Sequence, residues 1–281
     1  MSSPIRFAIV GYGHIGRRHA THIMQHPDAK LVAVCDIDLS LKDKVEQFAS
    51  FYNNINDLVS SESADVVCVC TPNYLHEPHT ITVLEKGFHA VVEKPMALSV
   101  AECDQMIAAA ELANRRIFAV KQNRYNPPVQ AVKELIRKGS LGRIYMVQVN
   151  CFWNRNDHYY SQSPWRGKKQ LDGGCLFTQF SHFIDILYYL NGTLDSSVGF
   201  IDNYAHVHNT EFEDTGSFSM RAANGATVNF NFSTCAYGQN MEGAITILAE
   251  KGTVKIGGQY LNTIEYQQLE NGSLPQINIS A

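Results

Sequence analysis

Four groups of residues in this chain have the types and spacing to do chemistry. Gly11, Gly13 and Gly16 form the run GYGHIG, and Asp36 follows about twenty residues later. Glycines at these intervals allow a tight turn, close approach of the backbone to a pyrophosphate and close packing of a following helix, whose N-terminus attracts the phosphates. An acid at the place of Asp36 accepts hydrogen bonds from the ribose hydroxyls of NAD and repels a 2′-phosphate. Its neighbours Ile37 and Asp38 supply no arginine to neutralise one, so NAD is expected over NADP. Gly11, Gly13, His14, Ile15, Gly16 and Asp36 are the expected dinucleotide contacts.

The second group is CTPNYLH, directly after an apolar run. It places Thr71, Pro72, Asn73 and His76 at the carboxyl end of a strand, where open α/β sheets bind ligands. A plain turn built on proline and asparagine fits the same residues. The third is HAVVEKPMAL, in which Glu93 and Lys94 stand directly before Pro95. Successive strand residues point to opposite faces, so Glu93 and Lys94 need not pair, and Lys94 can face a substrate. A solvated lysine after a strand is the competing reading. The fourth is the segment GGCLFTQFSHFIDILYYLNG. At helical spacing Leu176, Phe180, Phe183 and Leu187 share one side, and Thr178, His182, Asp185 and Tyr189 the other. That second side is either a solvated polar face or one wall of a site. Trp165 and Arg166, upstream in SPWRGKK, are further candidates to line it, whereas Lys168 and Lys169 read as solvated loop charges.

These groups need elements to hold them. The runs IRFAIVG, KLVAVCD, ADVVCVCTP, HAVVE and RIFAV are short and apolar, and the stretches between them carry helical patterns. One such helix opens at Ser99 with Glu102 three residues later, a capping box. Alternating strands and helices predict a parallel, doubly wound sheet covered on both faces. After the helix in NPPVQAVKELIRKGSLG, with Pro128 near its start and Gly139 past its end, strands dominate. RIYMVQVNCFW, TGSFSMRAANGATVNFNFS and GAITILAEKGTVKIGG show partial alternation with turn signals at Asn224-Gly225 and Lys251-Gly252. They predict a large, mostly antiparallel sheet with one open face. The expected division is a dinucleotide-binding domain over residues 1–122 and an α/β domain for substrate and oligomerisation over 123–281.

With 281 residues, 45% hydrophobic and 18% charged, the chain has enough apolar sequence for two cores. A net charge of -4 with scattered basic residues argues against a nucleic-acid or membrane surface and favours small-molecule partners. With the opening MSSPIRFAIVGYG running directly into a strand pattern, no signal peptide is expected, and no apolar run approaches membrane-spanning length. The seven cysteines include no CxxC pair, which suits a reducing cytoplasm. No metal site is expected.

Taken together and in this order, GYGHIG, CTPNYLH, VVEKP and LDGGCLFTQFSHFID resemble the Gfo/Idh/MocA family of NAD(P)-dependent oxidoreductases over most of the chain. The resemblance implies a Rossmann domain followed by an α/β domain whose large sheet mediates oligomerisation, as a homodimer or homotetramer. It implies that Lys94 is the catalytic lysine, on a Lys-Pro peptide commonly cis, that His182 is the active-site histidine, and that Thr71, Asn73, His76 and Glu93 shape the nicotinamide side. VKQNRYNPP, SPWRG and the Thr-Gln before His182 are most similar to UDP-N-acetylglucosaminuronate 3-dehydrogenases of bacterial surface-polysaccharide synthesis. On that basis Gln122, Arg124, Tyr125, Trp165, Arg166, Gln179 and His182 are expected on the substrate side, and the oxidised group is C3 of a UDP-linked N-acetylated uronic acid. A cyclitol or free-sugar dehydrogenase, or an NAD-binding regulator without catalysis, are the alternatives on the same fold. Two departures stand out. Many members carry aspartate four residues before the histidine and glycine two before it, whereas this chain has Thr178 and Phe180. The family also continues into a C-terminal helical segment, whereas this sequence closes on EYQQLENGSLPQINISA, so a C-terminal truncation is expected.

Overall fold

Apolar runs too short for helices and rich in β-branched residues form the strands that carry the N-terminal motifs. The computed structural model describes residues 3–61, 63–258, 260–270 and 272. The described residues of Met1–Val120 and Gln170–Asp172 form one unit, and those of Lys121–Lys169 and Gly173–Ala281 the other.

In the first unit the chain runs β1 (Ile5–Val10), α1 (His14–Gln25), β2 (Ala29–Cys35), α2 (Lys42–Val45), β3 (Ser50–Tyr52), α3 (Ile55–Ser61), β4 (Val66–Val69), α4 (His76–Glu85), β5 (His89–Val92), α5 (Val100–Leu112) and β6 (Ile117–Ala119). All six strands are parallel, in the order β3-β2-β1-β4-β5-β6. This is the doubly wound Rossmann order, with its switch point between β1 and β4. The strands are apolar throughout because both faces are covered. Ala8, Val10, Val67, Val69, Ala90 and Val92 pack with Leu58, Leu84 and Met106 on one side. Ile9, Val34 and Cys68 pack with Ala20 and Ile23 on the other. The Ser99 side chain accepts from the Glu102 N–H and Glu102 reaches back to the Ser99 N–H, completing the capping box of α5, a device worth about 1 kcal/mol.

The second unit contains α6 (Pro127–Arg137), β7 (Ile144–Phe152), α7 (Asp157–Ser161), α9 (Cys175–Thr178), α10 (Ser181–Asn191), β8 (Leu194–Asp202), β9 (Thr215–Ala222), β10 (Thr227–Ser233), β11 (Glu242–Ala249), β12 (Gly252–Gly257) and β13 (Thr263–Leu269); the turn α8 (Lys169–Asp172) lies where the chain revisits the first unit. Its seven strands are ordered β13-β12-β11-β7-β10-β9-β8, antiparallel except for the parallel pair β7–β10. Alternation assigns the faces. Val147, Val149, Val228, Phe230, Phe232, Ile245 and Ile247 form a core with Val129, Val132, Phe183, Ile186 and Leu187. On the opposite face Ser217 and Ser219 donate to Asn231 (2.6 Å) and Asn229 (2.8 Å), and Asn231 donates to Asn150 (3.1 Å). Val198 and Phe200 of β8 pair with Ser219 and Ser217 and are 73% and 86% exposed.

Three local readings of the sequence change. The segment GGCLFTQFSHFIDILYYLNG, read above at one continuous helical spacing, is broken into α9 and α10 at Gln179 and Phe180. Its polar side is not solvated: Thr178 and His182 are buried, while Phe177, Ile184 and Tyr188 are exposed. The hairpin turn expected at Lys251-Gly252 is the two-residue link Glu250-Lys251, and Gly252 already belongs to β12. β3, β8 and β13 carry no clear strand pattern, being very short or almost wholly exposed. Of the segment EYQQLENGSLPQINISA on which the expected truncation rests, residues 271 and 273–281 lie outside the described residues. Among the described residues no helix is long and apolar enough to cross a membrane.

Candidate dinucleotide and substrate sites

Strand order brings separate motifs of the first unit together. β2, β1, β4 and β5 are neighbours, and their carboxyl ends lead into Asp36, the glycine run, Thr71 and Glu93-Lys94. Gly11 has φ +91°, and a Cβ there would fall 2.6 Å from the Cys70 carbonyl oxygen. A Cβ on Gly16 would fall 2.0 Å from the Gly11 oxygen. Those two glycines are required by packing within the turn. Gly13 is different: it is exposed, and a Cβ would meet nothing within 4 Å. It is also the N-cap of α1, whose first turn has no side-chain cap and no acidic residue. The backbone donors at that helix end suit a pyrophosphate, with room beside Gly13 for it to approach.

Asp36 is fixed to the same loop. Its Oδ2 accepts from the Tyr12 N–H at 2.6 Å, and its Oδ1 accepts from the Asp38 N–H at 2.9 Å. Acceptors held at the end of β2 are placed for ribose hydroxyls. These residues fit a dinucleotide.

At the end of β4, Asn73 is buried and its Nδ2 donates to the Asp172 carbonyl (2.9 Å) and Oδ1 (3.3 Å). His76 is also buried, with Nδ1 2.6 Å from the Pro95 oxygen and Nε2 2.8 Å from the Thr71 oxygen. Burial lowers its pKa from the ordinary value, against the two carbonyls that favour protonation. His76 thus ties the end of β4 to the segment after β5. Glu93 is 2.8 Å from the His19 Nε2 and accepts from the Lys94 N–H at 3.2 Å. Burial opposes the charge on Glu93, but the contacts with His19 and Lys94 outweigh it and hold the carboxyl below its ordinary value. Lys94 is half-buried, and the Lys94-Pro95 peptide is cis.

The second unit holds a different set. Gln122, Arg124 and Tyr125 lie in a 3-10 turn before α6. Arg124 makes a bidentate pair with Asp185 of α10, Nε to Oδ2 at 2.8 Å and Nη2 to Oδ1 at 2.6 Å, above the Tyr189 ring. Gln122 and Tyr125 are exposed. Gln179 is buried; its Nε2 donates to the Tyr159 hydroxyl at 2.6 Å, and its Oε1 accepts from the Arg155 Nε at 2.6 Å. Arg166 lies over the Tyr159 ring at 4.4 Å, beside Trp165.

Arg155 is the residue that sequence reasoning passed over. Its guanidinium lies 5.0 Å from the Trp153 ring centre and 5.1 Å from that of Tyr159. It donates to the Asn154 carbonyl at 2.6 Å and to Asn240 Oδ1 at 3.2 Å. Among the described residues it forms no ion pair with a carboxylate, and burial pulls its pKa below the ordinary arginine value. A half-buried cation held by neutral acceptors and aromatic faces is suited to an anionic group of a ligand. The mixed run FWNRNDHYY was its only signal.

The glycine turn, the helix N-terminus and the tethered acid at the switch point define a dinucleotide-binding Rossmann unit. The Gfo/Idh/MocA oxidoreductase family, NAD-binding Rossmann fold, matches residues 5–121, and the Gfo/Idh/MocA C-terminal domain matches residues 129–255. The chain belongs to the Gfo/Idh/MocA family. It is 39% identical to the WlbA dehydrogenase of Chromobacterium violaceum, solved with NADH and UDP-GlcNAcA, with a TM-score of 0.92 over 97% of this chain and 79% of that one. The WlbA dehydrogenase of Bordetella pertussis, also solved with NADH and UDP-GlcNAcA, is similar at 39% identity and TM-score 0.92, over 97% and 79% of the two chains. A 2,7-anhydro-N-acetylneuraminate hydratase of Escherichia coli is 30% identical over 205 residues, 72% of this chain and 54% of that protein. The chain therefore spans about half the length of that curated relative.

Proposed function

We propose that this protein is an NAD-dependent dehydrogenase that oxidises C3 of a UDP-linked N-acetylated uronic acid in the synthesis of surface-polysaccharide sugars. The observation that carries the reading is the convergence of the glycine turn, Asp36, Thr71, Glu93 and Lys94 on neighbouring strand ends. The likeness to two dehydrogenases solved with UDP-GlcNAcA supports the substrate.

NAD, when bound, supplies the hydride acceptor. The protein's own residues do the rest. Gly11, Gly13, His14, Ile15 and Gly16 seat the pyrophosphate, and Asp36 holds the ribose. Thr71, Asn73, His76 and Glu93 shape the nicotinamide side. Lys94 takes the proton of the reacting hydroxyl or donates a hydrogen bond to its oxygen, and His182 provides a second titratable group for that proton. Thr178 replaces the family aspartate, and its hydroxyl donates to the Gly174 carbonyl at 3.0 Å, so the reading uses no carboxylate relay through that position. Gln122, Arg124, Tyr125, Trp165, Arg166 and Gln179 contact the substrate, with Arg124 positioned by Asp185. Arg155, beside Gln179, receives the uronate carboxylate. The reading places the enzyme in the cytoplasm as a homodimer or homotetramer joined through the open face of the β7–β13 sheet, where Val198 and Phe200 are exposed.

The test is a panel of UDP-GlcNAcA, UDP-GlcNAc, free hexoses and inositols, followed by NADH formation in multiple and single turnover. Oxidation of UDP-GlcNAcA alone, reduced about 10²-fold or more in His182→Asn where proton transfer limits, is expected. Turnover only with free sugars or cyclitols overturns the substrate. NAD binding without turnover on the whole panel overturns the enzyme.

A further inference from the structure

A second cluster of chemically competent side chains lies in the second unit, where the proposed reaction makes no use of it. His206, Asp214 and Cys235 each present one donor atom, and these atoms all lie within 4.8 Å of one another. His206 and Asp214 are buried, while Cys235 is exposed. They come from two segments: His206 and Asp214 lie between β8 and β9, and Cys235 follows the end of β10. No motif spacing announces them.

We propose that His206 Nδ1, Asp214 Oδ2 and Cys235 Sγ bind a divalent transition-metal ion of the zinc type. The donor set is one imidazole nitrogen, one carboxylate oxygen and one thiolate sulfur, a combination that tetrahedral zinc accepts. The spacing agrees. Bond lengths of about 2.0 Å to nitrogen or oxygen and about 2.3 Å to sulfur at tetrahedral angles put N···O donors about 3.3 Å apart and N···S donors about 3.5 Å apart. In the structure His206 Nδ1 is 3.0 Å from Asp214 Oδ2 and 3.9 Å from Cys235 Sγ. Shifts of a few tenths of an ångström would bring the three donors around one ion.

The surroundings are those of a ligand set. His206 Nε2 is 2.6 Å from the Arg155 carbonyl oxygen, which accepts a hydrogen bond from it. A proton on Nε2 leaves the Nδ1 lone pair for a metal, and such a hydrogen bond is the usual second contact of a metal-bound histidine. Asp214 is oriented by its own donors: Oδ2 accepts from the Ala205 N–H at 2.8 Å and the Tyr204 N–H at 3.1 Å. Burial opposes the charge on Asp214, but those backbone donors prevail and hold its carboxyl below the ordinary value, so the ligand is ionised at neutral pH. Burial and the adjacent carboxylate raise the Cys235 thiol above its ordinary value, so metal entry displaces the thiol proton. The three protein ligands leave a fourth position at the exposed sulfur side for water. Occupancy would join the end of β10 to the loop before β9 and fix the backbone carbonyl of Arg155.

The test uses whole protein stripped with EDTA and exchanged into chelator-free buffer. Titration with Co²⁺ should give a sulfur-to-metal charge-transfer band that saturates at one equivalent and is removed by added Zn²⁺. Cys235→Ser, at an exposed position, should fold, bind NAD as the unmodified chain does, and lack the band. Asp214→Asn should weaken Co²⁺ binding by at least tenfold. Zn²⁺ should raise the unfolding temperature of the unmodified chain and leave that of Cys235→Ser unchanged. Absence of a stoichiometric thiolate band, or an equal band or thermal shift in Cys235→Ser, overturns the proposal.

Discussion

The backbone N–H of Tyr12, inside the glycine turn, donates to Asp36 Oδ2 at 2.6 Å. The acid proposed to discriminate between ribose and ribose phosphate is therefore fastened to the loop proposed to seat the pyrophosphate. Loss of the carboxylate should act on both. Asp36→Ala should lower NAD affinity and narrow the preference for NAD over NADP by at least about tenfold, the scale of one lost charge-assisted contact. Binding titrations with the two cofactors measure this, and equal affinities in the unmodified protein would contradict the assignment.

Lys94 follows Glu93 after the end of β5, directly before Pro95, whose carbonyl His76 holds. The proposed role is at the reacting oxygen rather than at the phosphates. Lys94→Ala should reduce kcat by about 10²-fold or more while NAD affinity stays within about threefold. A variant that keeps near-normal turnover removes Lys94 from the chemistry.

Arg155 Nε donates to Gln179 at 2.6 Å, and its guanidinium lies over the Trp153 and Tyr159 rings. In the proposed reaction it meets the uronate carboxylate. Arg155→Gln should raise KM for UDP-GlcNAcA about tenfold or more and leave UDP binding unchanged. Equal weakening of UDP and UDP-GlcNAcA would assign the guanidinium to the diphosphate instead.

His76 gives a pH dependence of stability. Burial lowers its folded pKa, while an unfolded histidine titrates near about 6.5. Above that value both states are neutral and the group has no effect on the slope. As pH falls below it the unfolded chain takes up the proton first, so stability is lost between about pH 6.5 and the lower folded value. Urea midpoints measured from pH 7.5 down to pH 5.5, roughly the window set by that titration, should fall less steeply in His76→Gln. Identical slopes would refute the assignment.

Much of the first unit was legible in the sequence because its signals are local. GYGHIG encodes a turn that only glycine can make at Gly11 and Gly16, and the apolar runs encode strands buried on both faces. Parallel pairing of such strands follows from the intervening helices. The second unit was legible as a sheet, since alternation survives in β7, β9, β10 and β11. Exposed β8 and β13 were not, because their side chains answer to little burial.

The break in the helix after Cys175, the burial of His182 and the environment of Arg155 were decided by tertiary structure. Helical periodicity separates two sides of a segment, but polarity does not say which side meets water. Arg155 reads as one more loop cation until the fold brings Trp153, Tyr159, Gln179 and Asn240 around it. His206, Asp214 and Cys235 are the clearest case: composition supplies the three donor types, and only the approach of the loop before β9 to the end of β10 sets them within reach of one another. Turns and strands are written by neighbouring residues, whereas a donor set drawn from two segments exists only after the chain between them has folded.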